Sequence, residues 1–233
     1  MLKTLMVLAL LIAFVIVAYL FFWRTAPTPV DGSESMAAVA TVTMAETFAG
    51  TGNFSIFPDE SVLTWEGKKP LLPNNYTDTG TVLVKSGTLQ ATNGLITGGV
   101  VVVDLTTIAA IRTGKGSGED MLSGHLKSAD FFDVAKYPTA ELTLASSTPA
   151  SDDTTLQTVS GSLTIKGVSN PVSFPVKVLT QGDGLRATAR VSLDRTLWGL
   201  RYGSGKFFQN IGDNLIADTF TIEFDVVARP HSL

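Results

Sequence analysis

Apolar and polar side chains alternate with a period of two through much of this chain, a rhythm that few folds can satisfy. Val172, Phe174, Val176 and Val178 share one face of a stretch whose other face holds Ser173, Pro175 and Lys177. Leu185, Ala187, Ala189, Val191 and Leu193 oppose Arg186, Thr188, Arg190, Ser192 and Asp194. Phe220, Ile222, Phe224 and Val226 oppose Thr221, Glu223 and Asp225, with shorter versions around Leu142 and Leu144 and around Leu163 and Ile165. Such alternation predicts antiparallel strands with one dry and one wet face. Turn signals at Thr92-Asn93-Gly94, Asp152-Asp153 and Gly182-Asp183-Gly184 punctuate the series. Strands in this number close into a barrel or split into a sandwich. Pro175, with no N–H to give a ladder, is expected near an edge or bulge.

One segment breaks the rhythm. Ser117 and Asp120 have the spacing of a capping box, and Met121, Leu122, His125 and Leu126 fall on one helical face behind them. Phe131 and Phe132 follow. A single short helix is therefore expected in an otherwise all-β domain, its apolar face covering the mouth or side of the barrel.

The first residues are of another kind. Leu5 to Trp23 carries no charge and only apolar or aromatic side chains. As a helix it would span roughly 28 Å, close to the hydrocarbon thickness of a bilayer. Tyr19, Phe21, Phe22 and Trp23 collect at its far end, where an interfacial aromatic belt sits. A cleaved signal peptide is the alternative, but its apolar core is usually about 7–15 residues with a small-residue cleavage site close behind. Here Arg24, Pro27 and Pro29 follow, and the pattern Ala38 to Ala40 lies well downstream. The expected organisation is a transmembrane anchor over residues 1–24, a linker over 25–46 and a barrel over 47–233. Lys3 against Arg24 is too even to orient the anchor by charge.

Composition removes several functions. Seventeen basic against 21 acidic residues give a net charge of −4, which supplies no basic field for nucleic acid. There are no cysteines and only two histidines, His125 and His231, so thiolate chemistry and Cys- or His-rich metal sites are excluded. No Ser–His–acid arrangement or nucleophile elbow is present. Gly114 to Gly116 and Gly203 to Lys206 lack the spacing of a phosphate loop.

Several blocks resemble one family. Gly124–Leu144, Ser160–Val178 and Ser192–Gly203 are similar to the YceI-like, polyisoprenoid-binding domain of bacterial envelope proteins, and Phe54 to Trp65 looks like its first strands. The strongest elements are Asp130-Phe131-Phe132-Asp133 with Tyr137-Pro138, and Leu163 to Gly167 with Pro171-Val172. The resemblance implies a lipocalin-like antiparallel β-barrel with a short lid helix. Its long apolar cavity would hold a polyprenyl chain or an isoprenoid quinone, with no other cofactor. With the anchor, it places the protein in the inner (cytoplasmic) membrane as a single pass, the barrel on the periplasmic or extracytoplasmic side. Release to the periplasm after signal cleavage is the alternative. Two departures leave the head-group preference open: Phe57 stands where many members have Asp, and Leu122-Ser123 where many have an Arg-Asp pair.

The ligand path expected from facing and resemblance draws on each wall. Phe54 and Trp65 come from the first strands, then Val101, Val103, Leu142 and Leu144. Leu163, Ile165, Phe174, Val176 and Val191 follow, with Phe220, Ile222 and Phe224 from the last strand. Met121, Leu122, His125, Phe131 and Phe132 would form the lid, and Trp198, Phe207 and Phe208 would flank the ends. Each has a plainer reading. A lone His on an apolar helix face is more often packed and hydrogen-bonded than catalytic, and Trp65 and Trp198 could be core. Arg195 could meet a pyrophosphate or tie a loop to Asp194 or Asp213, the loop role being commoner for an Arg fork. Periodicity cannot measure a void: the same inward side chains can fill a small barrel solidly. The functional alternatives to lipid binding are therefore a structural or interaction domain with a filled core, or a barrel isomerase or cyclase using buried acids.

Overall fold

The computed structural model describes residues 46–72, 76–114, 118–150 and 153–231. The anchor segment, all of the linker but Glu46, Ser117 and Asp152 lie outside the described residues. Within them no helix is long and apolar enough to cross a membrane. Nine antiparallel strands make one sheet: β1 (Gly52–Ile56), β2 (Val62–Lys69), β3 (Tyr76–Thr92), β4 (Leu95–Arg112), β5 (Thr139–Pro149), β6 (Leu156–Ile165), β7 (Val168–Gln181), β8 (Gly184–Asp194) and β9 (Thr219–Pro230). Among the described residues one α-helix, α1 (Glu119–Lys127), joins β4 to β5.

The sheet closes because β1 and β2 share one place in it. β3 pairs with β2 through Tyr76–Val82 and with β1 through Thr88–Ala91. β9 pairs with β2 through Thr221–Asp225 and with β1 through Ala228–Pro230. The break between them is a 3₁₀ turn, Pro58–Glu60, sewn to β9 by Phe57 N to Val227 O (2.9 Å) and Val227 N to Ser61 Oγ (3.2 Å). Nine strands thus occupy eight barrel positions, and the β3–β4 pairing completes the ring with no free edge. Residues Thr43–Leu233 form one compact unit with its own core, as expected of a domain that folds alone.

Pro175 stands at a local edge within the ring, as its missing N–H leads one to expect. Val178 N points to β6, donating to Thr155 O, so the odd positions of β7 face β8. The β7–β8 ladder begins only at Lys177, and Pro171 and Pro175 lie beyond its end, where a missing N–H costs nothing. Where β8 leaves β7, the 3₁₀ turn Arg195–Trp198 fills the gap. Trp198 is fully buried there and donates Nε1–H to Leu163 O (2.8 Å), while Asn170 Nδ2 reaches Leu197 O.

The two ends of the barrel differ. At one end the Asn93-Gly94 turn has positive φ at both residues, the geometry of a tight hairpin, and a Cβ on Gly94 would collide with Phe48 O. Phe48 packs edge-on against Phe54 (5.4 Å), and Gln157, 5% exposed, accepts from Ile96 N and Ser147 Oγ and donates to Gly94 O. This end is shut. Gln157→Leu leaves a buried N–H and C=O unpaired and is expected to cost about 2–4 kcal/mol. A thermal melt followed by circular dichroism should show it as a fall of roughly 4–16 °C.

Candidate functional site

Side chains in the lower barrel are sealed: Val159, Val178, Leu185 and Ala228 are 2% exposed or less. Higher up, side chains that face inward remain only half-buried, among them Leu142, Leu144, Leu163, Phe220, Ile222 and Phe224. An inward side chain that water can still reach has empty space beside it. That space is a cavity of about 510 Å³, within the range of ligand-binding pockets. The barrel is hollow.

Its wall is built from every strand around the ring. β4 supplies Val101 and Val103, β5 Leu142 and Leu144, and β6 Leu163 and Ile165. Phe174 and Val176 come from β7, Val191 from β8, and Trp65 from β2. Phe220, Ile222 and Phe224 come from β9, with Phe174 edge-on to Phe224 at 6.0 Å. The lid residues Met121, Leu122, His125, Phe131 and Phe132 also reach the cavity.

Four expected lining residues lie elsewhere. Phe54 is part of the closed end beneath Phe48. Trp198 is the wedge between β7 and β8, held there because its indole N–H needs Leu163 O. Phe207 and Phe208 point to solvent, about half exposed, with the Arg201 guanidinium 4.5 Å over the Phe207 ring.

Sequence reading missed much of the β3 and β4 contribution, such as Val82, Leu89, Leu105 and Ile108. The ladder explains why. Leu83 pairs with Asp104 but Thr81 with Ala109, so β4 advances five residues while β3 advances two. The bulge is held by side chains: Asp104 Oδ1 accepts from Thr106 N and Oγ1, and Thr107 Oγ1 donates to Asp104 O and accepts from Leu83 N. Counting by twos cannot pass through it. The Asp104–Thr106–Thr107 cluster was the available signal.

The lid is rooted on β4. Ser123 Oγ accepts from Ala110 N (2.8 Å) and donates to Glu119 O (2.7 Å), and Glu119 Oε1 accepts from Thr113 N (3.3 Å). The helix starts behind Gly118, which has φ +96° and offers no side-chain cap, so it begins one residue later than a cap at Ser117 predicts. His125 stands edge-on between Phe131 (5.0 Å) and Tyr202 (4.6 Å), with Nε2 3.3 Å from Asp130 Oδ2. It is a packed, hydrogen-bonded histidine that clasps the lid to the β8–β9 connection.

Polar lining gathers at the lid end, with Lys68, Lys69, Tyr76, Asp78, Asn214 and Thr219 among it, which marks the mouth. Arg195 secures its far wall. The guanidinium is 4% exposed and donates to Leu200 O (2.6 Å), Ala217 O (2.9 Å) and Ile216 O (3.1 Å), with Asp218 3.8 Å away. Burial pushes its pKa below the ordinary value, opposed by Asp218 and Asp194. The loop role holds, through carbonyls and Asp218 in place of Asp213.

Glu66, at the rim, has its carboxyl held below the ordinary range, first by the Lys68 hydrogen bond, against partial desolvation, and then by Arg190. A lowered carboxyl stabilises the fold above its unfolded pKa and loses that contribution as pH falls through the folded value. Glu66→Gln should therefore melt slightly below the parent at pH 7, by less than about 1 kcal/mol since the pair is partly exposed. The difference should shrink in melts taken at progressively lower pH, as the carboxyl is protonated in the folded state too.

A closed antiparallel barrel with a lidded, apolar interior is a lipocalin-like architecture. The YceI-like domain family model matches residues 37–228, and the chain belongs to that family. Protein YceI of Escherichia coli is 44% identical over 59 residues, which are 25% of this chain and 29% of that protein, so the match spans under a third of the relative's length. Among solved structures, a polyisoprenoid binding domain from Saccharophagus degradans has a TM-score of 0.56 at 17% identity, covering 78% of this chain and all of that one. Burkholderia cenocepacia BcnA has a TM-score of 0.54 at 20% identity, covering 73% and 98%. At these identities the likeness shows the shared fold.

Proposed function

We propose that this barrel binds an elongated apolar lipid, a polyisoprenoid chain or an isoprenoid quinone, for sequestration or transport near a membrane. The observation that carries the reading is the ring of inward, half-buried aliphatic and aromatic side chains around the 510 Å³ cavity. Each CH₂ moved from water into such a lining contributes about 0.8 kcal/mol. Charged groups sit at the mouth, where a polar head would rest, and the deep lining is apolar. The polyisoprenoid-binding domain from Saccharophagus degradans shares the fold. A filled structural core is disfavoured by the cavity, and a barrel isomerase using buried acids by the buried polar side chains among the described residues, which are Ser61, Thr113, Gln157, Arg195 and Ser204 and include no carboxylate.

The membrane-anchored form belongs to the same proposal. Leu5–Trp23 would hold the protein in the inner membrane with the barrel on the periplasmic or extracytoplasmic side, concentrating it beside its lipid. Native mass spectrometry with lipid extraction on Thr43–Leu233, purified without detergent, tests the binding. A stoichiometric prenyl species is expected. An empty protein that takes up no added isoprenoid would leave the structural reading in its place. N-terminal sequencing of membrane-fractionated full-length chain should find Leu5–Trp23 retained.

A further inference from the structure

The exposed apolar side chains are not spread evenly over the barrel. Of those that are large, Phe57, Val62 and Leu83 lie on the outer wall, and all the others described lie at the mouth end. Leu71 is on the β2–β3 connection, Ile111 at the end of β4, Met121 on α1, and Leu197, Phe207 and Phe208 on the β8–β9 connection. Among the described residues the closed end has none. Met121 is 79% exposed and Phe208 49%, a steep cost in water unless something covers them. They come from four separate segments and surround the opening of the cavity. The Arg201 guanidinium stacked on Phe207 adds a cation beside an aromatic ring, a pairing suited to the boundary between head groups and acyl chains.

We infer that the mouth rim docks on a lipid bilayer, with Leu71, Leu197, Phe207 and Phe208 entering the acyl boundary so that the cavity opens directly onto hydrocarbon. This rests on the lipid-binding reading for its purpose, since a long tail then passes from bilayer to barrel without crossing water. The chain's other end permits it. The described residues begin at the closed end, where Thr180 N donates to Glu46 O and Thr47 bridges Leu179. Between Trp23 and Glu46 lie 22 residues, Arg24 to Ala45, which can span up to about 70 Å. A barrel whose last strand has 12 residues stands roughly 30 Å tall along its axis. In chain length alone those 22 residues exceed the height of the barrel.

Flotation of Thr43–Leu233 with extruded phosphatidylethanolamine–phosphatidylglycerol vesicles tests the surface without the anchor. The parent fragment is expected to float. Leu71→Asp/Phe207→Asp/Phe208→Asp, which touches no cavity-lining residue, should lower partitioning by roughly tenfold or more, with the wall variant Val62→Asp/Leu83→Asp unchanged. Thermal melts check folding. Because the chain has no cysteine, Phe208→Cys and Leu83→Cys can each carry one polarity-sensitive dye, and only the rim label should shift blue on vesicles. A parent that stays at the bottom overturns the inference, as does a wall variant that loses as much as the rim variant. So does concentration-dependent self-association through the rim without flotation. Flotation by a fragment that carries and takes up no isoprenoid would sink the cargo reading and leave docking standing. Bound lipid without flotation would do the reverse.

Discussion

Placing tryptophan at both Leu142 and Leu163 is expected to reduce isoprenoid affinity by roughly a hundredfold while leaving the barrel folded. The two leucines pair across β5 and β6 and point into the cavity, each half-buried. Indole rings there would project into empty lumen and need not displace packed neighbours. Excluding about four ligand carbons at about 0.8 kcal/mol each removes roughly 3 kcal/mol, or two factors of ten in the dissociation constant. Displacement of a fluorescent prenyl probe would measure the loss, and the melting temperature should move by no more than a few degrees. Undiminished binding would mean that the lipid sits outside the barrel.

The largest stability loss is expected at Arg195. Replacement by alanine strips hydrogen-bond donors from three carbonyls at once, those of Leu200, Ile216 and Ala217, and removes the cation beside Asp218. Three buried acceptors left without donors put the cost at about 3–5 kcal/mol, with Asp218 keeping Lys206 3.6 Å away. At this chain length that is roughly 6–20 °C in melting temperature. Arg195→Lys should recover less than half, since one ammonium cannot follow the diverging directions of the guanidinium fork. The loss also has a functional side. Leu200, Ile216 and Ala217 line the cavity, so hydrogen exchange across residues 199–218 should rise, and bound lipid should dissociate faster.

The facing of β7, β8 and β9, shorter stretches of β5 and β6, and the lid helix are legible from local pattern, because side-chain direction follows the residue count within an unbroken strand. Leu142, Leu163, Phe174 and Phe224 were therefore placed inward correctly. The count failed where a strand is interrupted or bulged, as at Phe57–Ser61 and at Asp104–Thr107. Aromatic residues at the barrel's ends were the other failure. Trp198 and Phe207 lie in turns, where no period applies and a hydrogen-bond partner such as Leu163 O can decide where a ring goes, while Phe54 faces inward with its strand but at the closed end.

The sequence by itself determined that this chain is an antiparallel β domain with one short helix, carrying no cysteine chemistry and no basic surface for nucleic acid. Those properties follow from residue type and from spacing within a few neighbours. Only the tertiary structure decided that the ring closes with two short strands in one place, and that its interior is hollow toward the mouth and sealed at the far end. It alone gathered the exposed apolar residues of four distant segments around one opening. A void depends on the distance between opposite walls, and closure depends on register between residues far apart in the chain. Neither is encoded in the direction a single side chain points.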